Sequence, residues 1–104
     1  MKTRIFGKTG WLVSEIGFGA WAIGSHWGPQ SDTDSIEALN KAIDLGVNFI
    51  DTAAVYGNGK SEKLIAEVLK NRKERVYVAT KIPPQRGPWP PTPYCKVEER
   101  YSEK

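Results

Sequence analysis

The sequence holds one cysteine, one histidine and one methionine, and no apolar run near the ~20 residues a membrane-spanning helix needs. No partner membrane is therefore expected. Cys95, as the lone thiol, cannot close an internal disulfide, which excludes disulfide scaffolds and fits a reducing, cytoplasmic compartment. Its neighbours Pro93, Tyr94 and Lys96 do not resemble the surroundings of an activated nucleophile, so it reads as an incidental thiol. Residues 1–4 lead into no apolar segment, so no secretory signal is expected. No long run of one charge sign exists either. The only cluster is Asn71-Arg72-Lys73-Glu74-Arg75, and the net charge is +3. Without a concentrated basic stripe no nucleic-acid partner is expected, although the mildly basic balance (pI about 9.1) weakly favours a phosphate-bearing ligand. No metal site is expected, and no internal repeat is found beyond a βα unit.

What is present is an ordinary globular composition, 39% hydrophobic and 26% charged over 104 residues. Residues 4–6 and 11–13 are β-prone and flank GKTG (7–10), which predicts a hairpin. Residues 15–19 read as a short strand ending in glycines, and 20–30, rich in Gly and Trp, as a loop. A helix is expected from a cap at Asp34, with Glu37 three residues on and Ile36, Leu39, Ala42 and Ile43 on one face. Gly46 is placed to end it in a left-handed conformation. Residues 47–51 read as a strand and 52–60 as a loop. A second helix is expected from a Ser61 cap to about Asn71, with Leu64, Ile65, Val68 and Leu69 on one face. Lys70, Arg72 and Lys73 suit the negative end of its dipole. Residues 75–81 read as a strand. Six of the seven prolines fall in 83–93, which no helix or strand can cross, and 97–104 reads as the approach to another helix.

Strands alternating with helices imply right-handed βαβ units and a parallel sheet. A barrel and an open doubly wound sheet both remain open from this pattern. Three parallel strands and two helices would leave both sheet edges unpaired, and a complete (β/α)8 barrel takes about 250 residues. Residues 1–104 are therefore expected to be the N-terminal part of a single larger domain, with 83–93 as a proline-rich loop. A short protein that covers its edges by self-association is the competing expectation, and the oligomeric state is not determined.

Chemistry-bearing residues stand where the strands stop: Gly17 and Gly19 after the first, Asp51 at the second, Lys81 at the third. In parallel α/β folds these ends share the face that holds the active site. Strand parity places Phe49 with Asp51, and Tyr77 and Ala79 with Lys81, so adjacent strands can bring Asp51 and Lys81 together. Tyr56 lies five residues past Asp51 on a glycine-flanked loop, within reach of both. An ammonium stabilises the phenolate left when a tyrosine gives up its proton, and a carboxylate keeps that ammonium charged and oriented. Such a trio is proton-donor machinery for a carbonyl oxygen becoming an alkoxide. A structural Asp–Lys pair beside an unrelated surface tyrosine is the alternative that these residues alone leave standing.

The segment GVNFIDTAAVYGNGKSE (46–62) resembles the signature of the aldo/keto reductase family. GKTG (7–10) with VSEIGFG (13–19) resembles that family's opening hairpin and first barrel strand, and VATK (78–81) its third strand. The match runs from about Arg4 to Lys81. The resemblance implies the N-terminal part, a hairpin plus about three β/α units, of a (β/α)8 TIM barrel. It implies reduction of aldehydes or ketones to alcohols by hydride transfer from NADPH. It places the family's catalytic Asp, Tyr and Lys on Asp51, Tyr56 and Lys81, with Tyr56 as general acid. Positions contacting the nicotinamide fall on Gly19, Ala20, Trp21 and Asp51. The family's catalytic His lies on a fourth strand, which His26, in the loop after the first, does not match. Most contacts to the cofactor's pyrophosphate and 2′-phosphate belong to the last barrel strands. Trp27 and Trp89 are expected at the mouth, against a small-molecule carbonyl substrate. Residues 1–104 alone are expected to be inactive. Some members resemble channel-associated regulatory subunits, so a non-catalytic interaction protein of the same fold is the alternative function.

Overall fold

The computed structural model describes residues 1–25, 27–83 and 96–101. His26, Trp89, Cys95, residues 102–104 and the proline-rich segment beyond Pro83 lie outside the described residues. An antiparallel hairpin opens the chain, β1 (Thr3–Ile5) pairing β2 (Leu12–Ser14) with Arg4 opposite Val13. Its turn closes because Gly7 and Gly10 take positive φ (54° and 73°) while Thr9 Oγ1 donates to the Phe6 carbonyl at 2.6 Å. A parallel sheet follows in the order β3 (Phe18–Gly19), β4 (Phe49–Asp51), β5 (Tyr77–Ala79). The strands are shorter than expected: pairing holds only Phe18 and Gly19 of 15–19, and only 77–79 of 75–81.

A 3-10 turn (Ala22–Gly24) and α1 (Asp32–Asp44) join β3 to β4, and α2 (Lys60–Lys70) joins β4 to β5. A four-residue helix, α3 (Val97–Arg100), is the last element. The expected caps are corrected at both long helices. Ser31 caps α1, its Oγ accepting from Asp34 N–H at 3.4 Å, so Asp34 lies in the acidic first turn together with Asp32. Gly59, at φ 89°, precedes α2, and the Ser61 side chain turns inward. Gly46 ends α1 at φ 95°, as the spacing predicted.

The strand order equals the chain order, and α1 and α2 pack on each other over one face of the sheet. Each βα unit thus advances one place in the same direction. A barrel wall winds this way, and so does one half of a doubly wound sheet before its strand order reverses. Leu39 and Ile43 of α1, Leu64, Ile65 and Val68 of α2, and Ala20, Ile23 and Ile50 form the core between helices and sheet. Ile50 is buried among them, so Phe49 and Asp51 face the other way by the two-residue period of a strand.

The hairpin seals one end of that opposite face. Phe6 meets Phe49 with ring centroids 5.4 Å apart, and Trp11 stacks on Tyr77 at 4.7 Å. Asn48 ties the hairpin to the sheet. Its Oδ1 accepts from Ser14 N–H at 2.7 Å, its Nδ2 donates to the Leu12 carbonyl at 2.9 Å, and its N–H donates to Ser14 Oγ at 3.1 Å. Aromatic rings therefore fill the end where the strands begin, and the end where they stop is left open.

Candidate active site

Asp51 is the last residue of β4, in register with Gly19 on one side and Ala79 on the other. Lys81 stands two residues past Ala79 and so shares its face. The Lys81 ammonium donates to Asp51 Oδ1 at 2.7 Å and to the Thr52 carbonyl at 2.9 Å. About half of each side chain is exposed, 52% for Lys81 and 49% for Asp51. The hydrogen bond that Lys81 donates to Asp51 is the main reason its pKa lies above the ordinary value, with partial desolvation opposing and electrostatic attraction to Asp51 and Tyr56 adding to it.

Tyr56 is carried by a turn in which its N–H donates to the Ala53 carbonyl at 3.0 Å and its carbonyl accepts from Ser61 N–H at 3.2 Å. The turn needs left-handed backbone at Gly57, Asn58 and Gly59 (φ 64°, 52° and 89°). It brings the Tyr56 ring centroid to 5.3 Å from Lys81 Nζ. Trp21 lies nearly parallel to the same ring at 5.9 Å, and Trp27 meets Trp21 edge-on at 5.7 Å. The structure thus gathers Asp51, Tyr56, Lys81 and Trp21 at the open end of the sheet. Gly19 is there too, with nothing within 4 Å of where a side chain would begin.

Ala20 is not on the open face. It is fully buried in the core, its N–H donates to the Asp51 carbonyl at 2.9 Å, and its carbonyl accepts from Ser61 Oγ at 2.9 Å. With both backbone groups bonded internally, it supports Gly19 and Trp21 from behind.

Sequence reasoning missed the layer beneath the site. Ser61 gives its one proton to Ala20, so the 2.8 Å contact between the Thr52 and Ser61 hydroxyls is donated by Thr52. Thr52 N–H donates to the Ala79 carbonyl at 2.8 Å. This chain of bonds joins all three strand ends to the start of α2. Thr80 Oγ1 donates to Glu62 Oε1 at 2.6 Å and ties β5 to the same turn. Lys60 donates to Ser25 Oγ at 3.0 Å and pairs with Asp32 at 2.8 Å, joining the starts of the two helices. One local signal existed for Lys60: a cation in the first turn of a helix opposes the dipole, so it has to find an anion elsewhere.

A groove of about 420 Å³ between α1 and α2, lined by Ile36, Asn40, Val68 and Arg72 among others, lies toward the C-terminal end of α2 and holds none of these residues. Among the described residues no group of three or more metal-ligating side chains comes together, and no helix is long and apolar enough to cross a membrane.

The model of the aldo/keto reductase family matches residues 15–99. The chain is similar to an aldo-keto reductase, YhdN, of Bacillus subtilis, 42% identical over 84 residues, which cover 78% of this chain and 25% of that one. It is also similar to a probable voltage-gated potassium channel subunit beta of Oryza sativa, 36% identical over 86 residues, 79% of this chain and 25% of that protein. An aldo-keto reductase of Bacillus halodurans in its holo form superposes with a TM-score of 0.71 at 31% identity, over 84% of this chain and 28% of its own. One from Klebsiella pneumoniae in complex with NADPH gives 0.65 at 32%, over 78% and 28%. The chain thus spans about a quarter of the length of the curated relatives it matches.

Proposed function

Since this chain belongs to the aldo/keto reductase family, we propose that it carries the proton-donating part of the active site of an enzyme that reduces small aldehydes or ketones with NADPH. The observation that carries this reading is the Lys81 ammonium held between the Asp51 carboxylate, at 2.7 Å, and the Tyr56 ring, at 5.3 Å. NADPH, when bound, supplies the hydride that goes to the carbonyl carbon. Tyr56 gives its phenolic proton to the carbonyl oxygen, which stays on the carbon as the hydroxyl of the alcohol. Lys81 steadies the phenolate this creates, and Asp51 keeps Lys81 charged and pointed at it.

The residues present fit the flat end of that cofactor. Gly19 offers open space, Trp21 an aromatic face that is half exposed, and Asp51 an accessible carboxylate, all beside Tyr56. The family resemblance assigns the pyrophosphate and 2′-phosphate contacts, and a histidine partner for the carbonyl oxygen, to later barrel strands. Support for the cofactor's identity comes from the NADPH complex of the Klebsiella pneumoniae relative. A reducing, cytoplasmic setting agrees with the single thiol of Cys95.

The test is NADPH oxidation by the intact gene product with 4-nitrobenzaldehyde. Tyr56→Phe is expected to lower turnover by about 10²- to 10⁴-fold; a variant as fast as wild type would end the assignment of Tyr56. Residues 1–104 expressed alone are expected to show no turnover. The likeness to the named channel subunit supports a second reading, a regulatory protein that uses this fold to bind a partner. That reading expects an intact protein with no turnover on any of a panel of aldehydes and ketones.

A further inference from the structure

Beyond the three polar residues, we propose that Gly24 is a positioning residue whose missing side chain sets where Tyr56 stands over Lys81. This rests on the reading of Tyr56 as the proton donor. Gly24 closes the 3-10 turn after β3, where its N–H donates to the Trp21 carbonyl at 3.0 Å. A Cβ on Gly24 would lie 2.7 Å from the Tyr56 carbonyl carbon, 2.8 Å from Gly57 N and 3.1 Å from the Tyr56 oxygen. All three are backbone atoms, so no side-chain rotation can relieve the overlap. Seen from the other side, a Cβ on Gly57 would come within 2.5 Å of the Gly24 oxygen and 3.0 Å of its Cα. The loop after β3 and the loop after β4 therefore meet backbone to backbone, at a spacing that any side chain would break.

The turn that carries Gly24 cannot retreat. Ile23 and Ala20 on its inner side are buried in the core. Ser25, at φ 70°, is held by Lys60, which is itself paired with Asp32. What yields is the turn that carries Tyr56, whose neighbour Val55 is exposed. Trp21, at the start of the same 3-10 turn, lies against the Tyr56 ring, so the two loops set its ring and its backbone together. A displacement of about 1 Å in a reacting group can cost about 100-fold in rate without touching the group itself.

The experiment is steady-state kinetics of the intact protein with Gly24→Ala, Tyr56→Phe and the double variant. Gly24→Ala is expected to lower kcat by roughly 10- to 100-fold while KM for NADPH changes by less than about twofold. In the Tyr56→Phe background it is expected to add nothing, because the group it positions is gone. Wild-type kcat in Gly24→Ala, or an equal loss in both backgrounds, overturns the proposal. If Tyr56→Phe itself keeps full activity, the reading of Tyr56 fails, and Gly24 is then judged by nuclear magnetic resonance. The closeness of the Tyr56 ring to the end of the Lys81 side chain, 5.3 Å from ring centroid to Nζ, should be lost in Gly24→Ala while the Leu39 and Ile50 methyl signals stay in place. Persistence of that closeness refutes the positioning role. Should Gly24→Ala fail to fold, Gly57→Asn keeps the positive φ that asparagine accepts and presses on the same contact from the other side. It must show the same loss, and full activity in it would equally overturn the proposal.

Discussion

Lys81 has two oxygen acceptors and an aromatic neighbour, but about half of its side chain faces water, which limits what its ion pair contributes to stability. Because Asp51 raises its pKa, the pair's stabilisation is fully present below the ordinary lysine value of 10.5 and is lost as pH rises through the raised value. Asp51→Asn should therefore flatten the alkaline fall in stability, by at most about 1 kcal/mol after allowing for solvent screening. Urea unfolding midpoints of both proteins between about pH 9 and pH 12 measure this; parallel curves would show that the two groups are not coupled. Ser61 is the contrasting case, since it is fully buried and holds both Ala20 and Thr52. Ser61→Ala leaves a buried carbonyl and hydroxyl short of partners and should cost about 1–3 kcal/mol in the same assay. Asp51 and Lys81 were legible as a possible pair because parity fixes the face of each within its own strand, and the pairing of Asp51 with Ala79 then set both on one face. Ser61 was not, because a serine near a helix start reads as a cap until the wall it faces is known.

At the scale of elements, the helices and strands were legible and their ends less so. The apolar spacing of Leu39 with Ile43, and of Leu64, Ile65 and Val68, gave the faces that the core uses. Residue spacing pointed only to Asp34 as the cap, whereas the chain coming from the 3-10 turn enters α1 so that Ser31 takes that place. The two are separable: Ser31→Ala should cost about 1 kcal/mol by removing the cap, whereas Asp34→Ala should cost only the few tenths of a first-turn charge. Thermal unfolding of both variants decides it, and equal shifts would return the cap to Asp34. Asn48 was read only as part of a strand. Its three bonds to the hairpin join residues 34 and 36 positions apart, and no local pattern shows such a pairing.

On the scale of the fold, β3 and β5 each have one sheet neighbour among the described residues, and Val78 and Ile82 lie exposed along β5 and beyond it. Val78 is in register with Ile50 and so faces the helix layer, which does not reach it. Residues 1–104 alone are thus expected to associate as concentration rises, through open edges and bare apolar surface. Light scattering across a concentration series checks this, and a monodisperse monomer throughout would speak against it. By itself the sequence determined the alternation of strands and helices and their buried faces, which follow from local periodicity, and two family-like motifs, at 46–62 and 78–81, pointed to Asp51, Tyr56 and Lys81 as one group. Only the tertiary structure, through its superposition on solved aldo-keto reductases, decided for a barrel wall over a doubly wound sheet, and only it buried Ala20, turned Ser61 inward and pressed Gly24 against Gly57. Those outcomes depend on which distant segments come into contact, and contact across the sheet leaves no mark on the spacing of residues along the chain.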